Sequence, residues 1–274
     1  MLFQHGFGGS NAGVLDVGAL FAADGLATIG ISAASHGRRG SPLDLITSTP
    51  FQIRDILRQS NADEMSVLRT IEAGLDVDGD AQPDLDPARM GYLGISLGGI
   101  MGATLVAVEE ILPVAVLNVA GARIAFLATS EGTRDIYTSA LAAAVGLEVG
   151  DPRFETFLRR QLEIAQHALD PADGLNFARR WFLEPFPGAS PHRVLVQEGI
   201  GDILVANAST EALAAAGGLE ANVARSDPDG VSGLWRFEPP GGHGIFARED
   251  VRAQAIRFLL SGGTEILDPS TAAN

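Results

Sequence analysis

Short apolar runs alternate with helical stripes over the first 120 residues, and that alternation sets the first expectation. Leu2 to Gln4 is a strand stub that delivers the loop His5-Gly6-Phe7-Gly8-Gly9-Ser10. From that loop Asn11 can cap a helix running to about Ala23. Leu26 to Ser32 is apolar and β-branched enough for a buried strand. Asn61 with Glu64 three places on has the spacing of a capping box, and Met65, Leu68 and Ile71 continue at helical spacing until Gly74. Met90 to Ile95 reads as a strand, Leu97 to about Glu109 as a helix, and Val114 to Val119 as a strand. Strand, helix and strand in repetition predict a mostly parallel, doubly wound sheet of the α/β class, with helices on both faces.

Residues 122–190 break the alternation. Leu158, Leu162, Ala165 and Leu169 fall on one helical face, and no strand pattern surrounds them, so this stretch reads as a helical insertion, lid-like in kind. A further sheet-packing layer is the competing reading. The sheet resumes with Arg193 to Glu198, a helix after Asn207, the strand Leu234 to Phe237 and an amphipathic helix from about Arg248 to Leu260. The expected parse is therefore a core of residues 1–121 and 191–262, the insertion 122–190, and a disordered tail over 263–274.

The candidate chemistry lies where one strand breaks into a helix. Gly91-Tyr92-Leu93-Gly94-Ile95-Ser96-Leu97-Gly98-Gly99 carries the GxSxG pattern between a strand and a helix. The spacing lifts one hydroxyl clear of a sharp turn that only neighbours lacking a Cβ leave uncrowded. The bland alternative is a glycine-rich helix start in which Ser96 only caps. A hydroxyl is a poor nucleophile, so it needs a base and a carboxylate to orient that base. Downstream of Ser96 the histidines are His167, His192 and His243. His243 sits in the glycine-walled loop Pro239 to Gly244, between the last strand and the last helix, and is the preferred base. Asp202 leaves from the same carboxyl edge of the sheet as Ser96, with Glu198, Asp227 and Asp229 as rivals for the acid. Oxyanion donors are expected from the backbone N–H groups of Leu97 and Phe7. His5, Gly6 and Phe7 are expected around the substrate pocket, His5 more as a brace for its loop than as an acid or base.

Composition narrows the field further. The formal charge is -15 and all 19 positive residues are arginine, scattered without a basic stripe, which excludes a nucleic-acid partner. With no cysteine there is neither a disulfide framework nor a thiolate site. No signal peptide is legible before the first motif, and Pro113, Asn118 and Arg123 interrupt the most apolar region, so no transmembrane segment is expected. In the acidic loop of residues 76–86, Asp76, Asp78, Asp80 and Asp84 offer the alternate-position oxygens that calcium prefers. Pro87 stands at the twelfth position and Ala81 at the sixth, where a calcium loop has glutamate and glycine, so a solvated turn is the alternative.

With the elbow, the HGFGG loop, Asp202 and His243 in that order, the chain resembles the α/β-hydrolase superfamily over essentially its whole length. The DVDGDAQPDLD loop and Leu169 to Ala178 look like bacterial extracellular lipases and lysophospholipases. That resemblance implies a serine esterase acting on small-molecule or lipid-like esters, secreted or surface-attached, with no organic cofactor. A serine peptidase or amidase, and a non-catalytic binding protein on the same fold, stay open. The superfamily core has two strands before the oxyanion loop, whereas here that loop starts at His5. The expectation is thus a lost or shortened N-terminal part of the sheet, an exposed first strand, and a homo-oligomer that covers it.

Overall fold

A computed structural model describes residues 1–268, apart from the Ala140 side chain. It contains a six-stranded sheet ordered β1-β2-β3-β4-β6-β5, with β1 at Leu2–Gln4, β2 at Gly91–Ile95, β3 at Val114–Asn118, β4 at Arg193–Gly199, β5 at Val223–Asp227 and β6 at Gly230–Phe237. All neighbours pair parallel except β5, which forms an antiparallel hairpin with β6. The strand period of two sorts residues onto opposite faces. Leu2, Tyr92, Ala115, Leu117, Val194 and Val196 share one core with Leu68 and Ile71 of helix α3 (Pro50–Glu72), which follows the short α2 (Asp44–Thr47), and with Leu213 of α7 (Asn207–Ala216). Phe3, Leu93, Val116, Leu195, Trp235 and Phe237 face the other way, onto Val17 and Phe21 of α1 (Gly13–Ala22) and onto Val251, Ala255 and Phe258 of α8 (Glu249–Leu260). Two buried layers on one sheet give the doubly wound architecture that the alternation predicts.

Several boundaries differ from the expectation, each for a local reason. Asn11 does not cap α1, because its side-chain oxygen accepts the Ser32 hydroxyl at 3.1 Å. Residues 26–32 run extended beside β1 but pair through a single bridge, Leu2 to Ile29. That pairing still corrects the expectation of an exposed first strand: Phe3 N–H donates to Ile29 at 2.8 Å, Ile29 N–H donates to Met1 at 3.0 Å, and β1 is buried throughout. Asn61 and Glu64 lie inside α3, which starts eleven residues earlier where Thr49 and Gln52 form a reciprocal capping box with Pro50 at the first turn. The segment after Gly262 is docked as far as it is described, with Ile266 against the α8 core and Leu267 C=O accepting from Gln254 at 2.8 Å. The remainder of the expected tail, 269–274, lies outside the described residues.

Within residues 122–190, helices α5 (Arg134–Ala144) and α6 (Pro152–Leu169) pack around a small cluster of their own, formed by Ala142, Phe154 and Leu158. Trp181 anchors the end of this stretch, fully buried and donating to Ala103 C=O at 2.9 Å on α4 (Leu97–Val108).

One buried group links the fold to pH. Glu64 is wholly buried on α3, and among the described residues neither carboxyl oxygen has a hydrogen-bond partner. Burial, helped by the neighbouring Asp63 charge, pushes its pKa up to about 8 from an ordinary 4.5. The folded state therefore keeps a proton that the unfolded chain gives up, and stability falls as pH rises between those two values. Glu64→Gln removes this linkage. Its advantage over the native chain in thermal or denaturant melts is expected to grow from nothing near pH 4.5 to a few kcal/mol near pH 8, at about 1.4 kcal/mol per unit of pKa difference. A difference constant across that range would sink the account.

Candidate active site

The end of β2 delivers Ser96 into a backbone conformation with φ 55° and ψ -115°, costly for a residue with a side chain. Close packing enforces it. A Cβ on Gly94 would lie 2.4 Å from the Gly98 carbonyl oxygen, and one on Gly98 would lie 2.2 Å from that of Gln4. The first turn of α4 is thus pressed directly on β1, and the two motif glycines mark the places where no side chain fits. Ser96 N–H donates to Asn118 C=O at 2.9 Å, fixing the turn to the end of β3.

His243 reaches the serine from the loop after β6. Its Nε2 lies 2.9 Å from Ser96 Oγ, and its Nδ1 lies 2.7 Å from Asp202 Oδ2. A carboxylate only accepts, so Nδ1 carries the proton towards Asp202 and Nε2 accepts from the serine hydroxyl. The second Asp202 oxygen accepts the N–H groups of Leu204 at 2.8 Å and Val205 at 2.9 Å. The Asp202 side chain is 2% exposed and that of His243 23%, so the carboxylate is sheltered while the imidazole opens to the surface. Three side chains up to 147 residues apart are thereby joined in one hydrogen-bonded line. Such a line can raise the nucleophilicity of an alcohol and carry its proton.

The loop after β1 runs over the hydroxyl: a Cβ on Gly6 would sit 3.3 Å from Ser96 Cβ. His5, 4% exposed, holds this loop from beneath. Its Nε2 accepts Ala33 N–H at 3.1 Å, leaving Nδ1 to donate to Gly6 C=O at 2.8 Å. Burial holds its pKa below the ordinary value, with the Gly6 bond opposing and His36 adding to the lowering. Phe7 is half exposed and meets the His36 ring edge-on at 5.8 Å. The Leu97 N–H opens α4, where no intrahelical acceptor is in reach.

The remaining candidates lie elsewhere. His167 is exposed on α6, and His192 is buried with Nδ1 at 3.0 Å from Leu112 C=O, ahead of β4 and away from Ser96. Glu198 is paired with Arg236 at 2.6 Å, while Asp227 and Asp229 belong to the β5–β6 hairpin. Asp76, Asp78 and Asp84 bring carboxyl oxygens within 4.8 Å of one another at the surface, without Asp80. Their oxygens also cap the loop itself: Asp76 accepts from Gly79 and Ala81, and Asp84 from Val77. These three could offer ligands to a hard cation. In the sequence His36 reads as part of the polar loop Ser35 to Gly40 and is no candidate for the site. It is instead fully buried against His5, ring centroids 5.2 Å apart.

No protein family matches the chain by sequence, and no curated protein matches it. Among solved structures it is similar to acetyl xylan esterase 1 from a Thermoanaerobacterium species, with TM-score 0.61, 17% identity, and coverage of 95% of this chain and 74% of that one. A Pyrococcus furiosus esterase is similar with TM-score 0.59 and 13% identity, over 95% and 81% of the two chains. A puromycin-hydrolysing peptidase of Mycobacterium tuberculosis is similar with TM-score 0.61 and 17% identity, over 95% of this chain and 33% of that one. The chain has the α/β-hydrolase fold.

The elbow packing makes a sharp expectation for stability. Gly98→Ala drives a methyl into the backbone of β1 and is expected to cost about 1–3 kcal/mol or more. Gly244→Ala adds the same methyl where nothing lies within 4 Å and should stay within about 0.5 kcal/mol. Equal losses in urea titrations of the two variants would refute the packing argument.

Proposed function

We propose that the protein is a serine carboxylic-ester hydrolase that works through an acyl-enzyme intermediate. The observation that carries this reading is the line from Ser96 Oγ to His243 Nε2 at 2.9 Å and from His243 Nδ1 to Asp202 at 2.7 Å. Ser96 attacks the ester carbonyl while His243 takes its proton, and Asp202 holds the imidazole and faces the charge it acquires. The Leu97 and Phe7 N–H groups receive the oxyanion. His243 then returns the proton to the departing alcohol, and water attacks the acyl-serine by the same steps in reverse. The reaction as written needs no organic cofactor.

Beside Leu97, the buried side chains of Ala33, Leu57, Met101 and Ala172 form an apolar cluster, joined by half-buried Leu45, Ile53 and Ile124. Such a wall fits short- to medium-chain acyl groups, lipid-like ones included. Residues 122–190 are proposed as a lid over the site, and the bond from Gly132 N–H to Ile203 C=O at 2.8 Å, next to Asp202, supports that role. An amidase or peptidase would use the same three side chains, and the similarity to a puromycin-hydrolysing peptidase keeps that reading in view.

A panel of p-nitrophenyl esters of increasing acyl length, run beside matching anilides, tests the proposal. Hydrolysis of esters over anilides is expected, with Ser96→Ala losing about 10⁶-fold in kcat and all labelling by a fluorophosphonate. Asp202→Asn is expected to lose about 10⁴-fold, through the wrong imidazole tautomer. Native chain that fails to take the label would remove the enzymatic reading, and preferred anilide cleavage would move it to amide bonds.

A further inference from the structure

The hydrogen-bonded line from Ser96 to Asp202 depends on a loop, and the fold has built a clamp for that loop. Asp202 follows the turn Gly199-Ile200-Gly201 at the end of β4. Asn207, the first residue of α7, spans this turn with its carboxamide. Its Oδ1 accepts Gly201 N–H at 3.0 Å, and its Nδ2 donates to Gly199 C=O at 2.9 Å. The same Nδ2 donates to Glu198 Oε1 at 3.0 Å. Glu198 is 1% exposed, and its other oxygen accepts Arg236 Nε at 2.6 Å, so the clamp is tied through β4 to β6. One planar side chain thus uses its acceptor on one end of the turn and its donor on the other, a geometry no aliphatic residue reproduces.

What the clamp holds also touches the histidine loop. A Cβ on Gly199 would fall 2.0 Å from the Gly242 carbonyl oxygen, and one on Gly242 would fall 3.0 Å from that of Gly201. The turn before Asp202 and the residue before His243 therefore pack backbone on backbone. Fixing the first fixes the second.

Resting on the serine-hydrolase reading above, we propose that Asn207 is a positioning residue for that reaction. By pinning Gly199 and Gly201 it sets the distance from Asp202 to His243 Nδ1, and so the orientation of the imidazole towards Ser96. Glu198 and Arg236 in turn hold the Asn207 carboxamide in the one orientation that serves both ends of the turn. Asn207 touches none of the reacting atoms and acts through the Asp202 carboxylate and the His243 loop packed against its turn.

The experiment compares native chain, Asn207→Ala, Ser209→Ala and Ser96→Ala. Ser209 lies on the same helix, donates to Ala122 C=O and belongs to neither loop, so it reports what losing one α7 hydrogen bond does to stability. A displacement of about 1 Å at the reacting groups can cost about 100-fold in rate. Asn207→Ala is accordingly expected to lose at least about tenfold in kcat with KM within about twofold, while Ser209→Ala melts comparably and keeps the native kcat. In proton NMR, the downfield resonance of the His243 Nδ1 proton is expected in the native chain and Ser209→Ala, and broadened or shifted upfield in Asn207→Ala. An unmoved resonance with kcat within twofold of native would overturn the proposal. If native chain and Ser96→Ala hydrolyse the esters equally, the serine-hydrolase reading fails on its own, and the resonance alone then decides whether Asn207 holds Asp202 to His243.

Discussion

The close approach of α4 to the end of β1 is the constraint on which the site depends. Helix backbone rarely lies against strand backbone, because side chains keep elements about 10 Å apart. Here Gly98 meets the Gln4 carbonyl, and Gly94 meets Gly98, with no side chain between them. Once the helix start is pulled down this far, the preceding residue has nowhere to turn except into the positive-φ conformation that Ser96 adopts. The same movement leaves the first N–H of α4 aimed away from the sheet and brings Gly6 over the hydroxyl. Nucleophile candidate, helix dipole and overlying loop thus follow from one packing decision.

The parallel strands do the rest of the assembly. β2, β4 and β6 all run in one direction, so the residues that follow them emerge at the same edge of the sheet. Ser96, Asp202 and His243 each come after one of those strands, and their loops are short enough that the side chains meet. A shared edge brings loops to within several ångströms, and hydrogen bonds need better than one. The Gly199 to Gly242 contact and the two N–H groups bonded to Asp202 close that remaining gap, both through backbone that sequence patterns do not describe.

That distinction accounts for what could be read from the chain alone. The alternation of strands and helices, the elbow at Ser96 and the loop positions of Asp202 and His243 were legible because periodicity and glycine spacing record them directly. The start of α3 was not: Asn61 and Glu64 have the right spacing for a cap, but the helix continues through them from Thr49, and only the paired bonds to Gln52 distinguish a cap from its imitation. Leu26 to Ser32 is apolar enough for a strand, yet its ladder with β1 is confined to Ile29. The β5 strand was missed because it is polar and exposed on the sheet's edge, where apolar alternation is not required. Asp173 shows the same limit in the insertion. It looks like one more acidic residue in a loop, whereas its buried carboxylate accepts the N–H groups of Arg123, Ile124 and Leu175 and the Gln166 amide, joining the start of that stretch to α6 and the turn after it.

The elbow also raises an energetic question, because the fold puts costly features together. Ser96 stores backbone strain of about 1–3 kcal/mol. Gly98, Gly99 and Gly102 each weaken α4 by about 1 kcal/mol relative to alanine. Nearby, Gln4 and Glu64 bury side-chain polar atoms that have no hydrogen-bond partner among the described residues, a cost of about 1–3 kcal/mol for each group left unpaired. The offset lies in the same helix. Every residue from Leu97 to Ala107 is buried, which leaves Val108 as the exposed residue of α4. The glycines that lower its intrinsic propensity are the ones that let it pack this deeply: a Cβ on Gly102 would fall 2.2 Å from the Tyr92 ring, whose hydroxyl donates to Gly98 C=O at 2.7 Å. Leu105 and Val106 alone recover about 1.5–3 kcal/mol each by leaving water. A weak helix former therefore sits where burial is nearly complete, and substitutions that improve its helix propensity without fitting that space are destabilising.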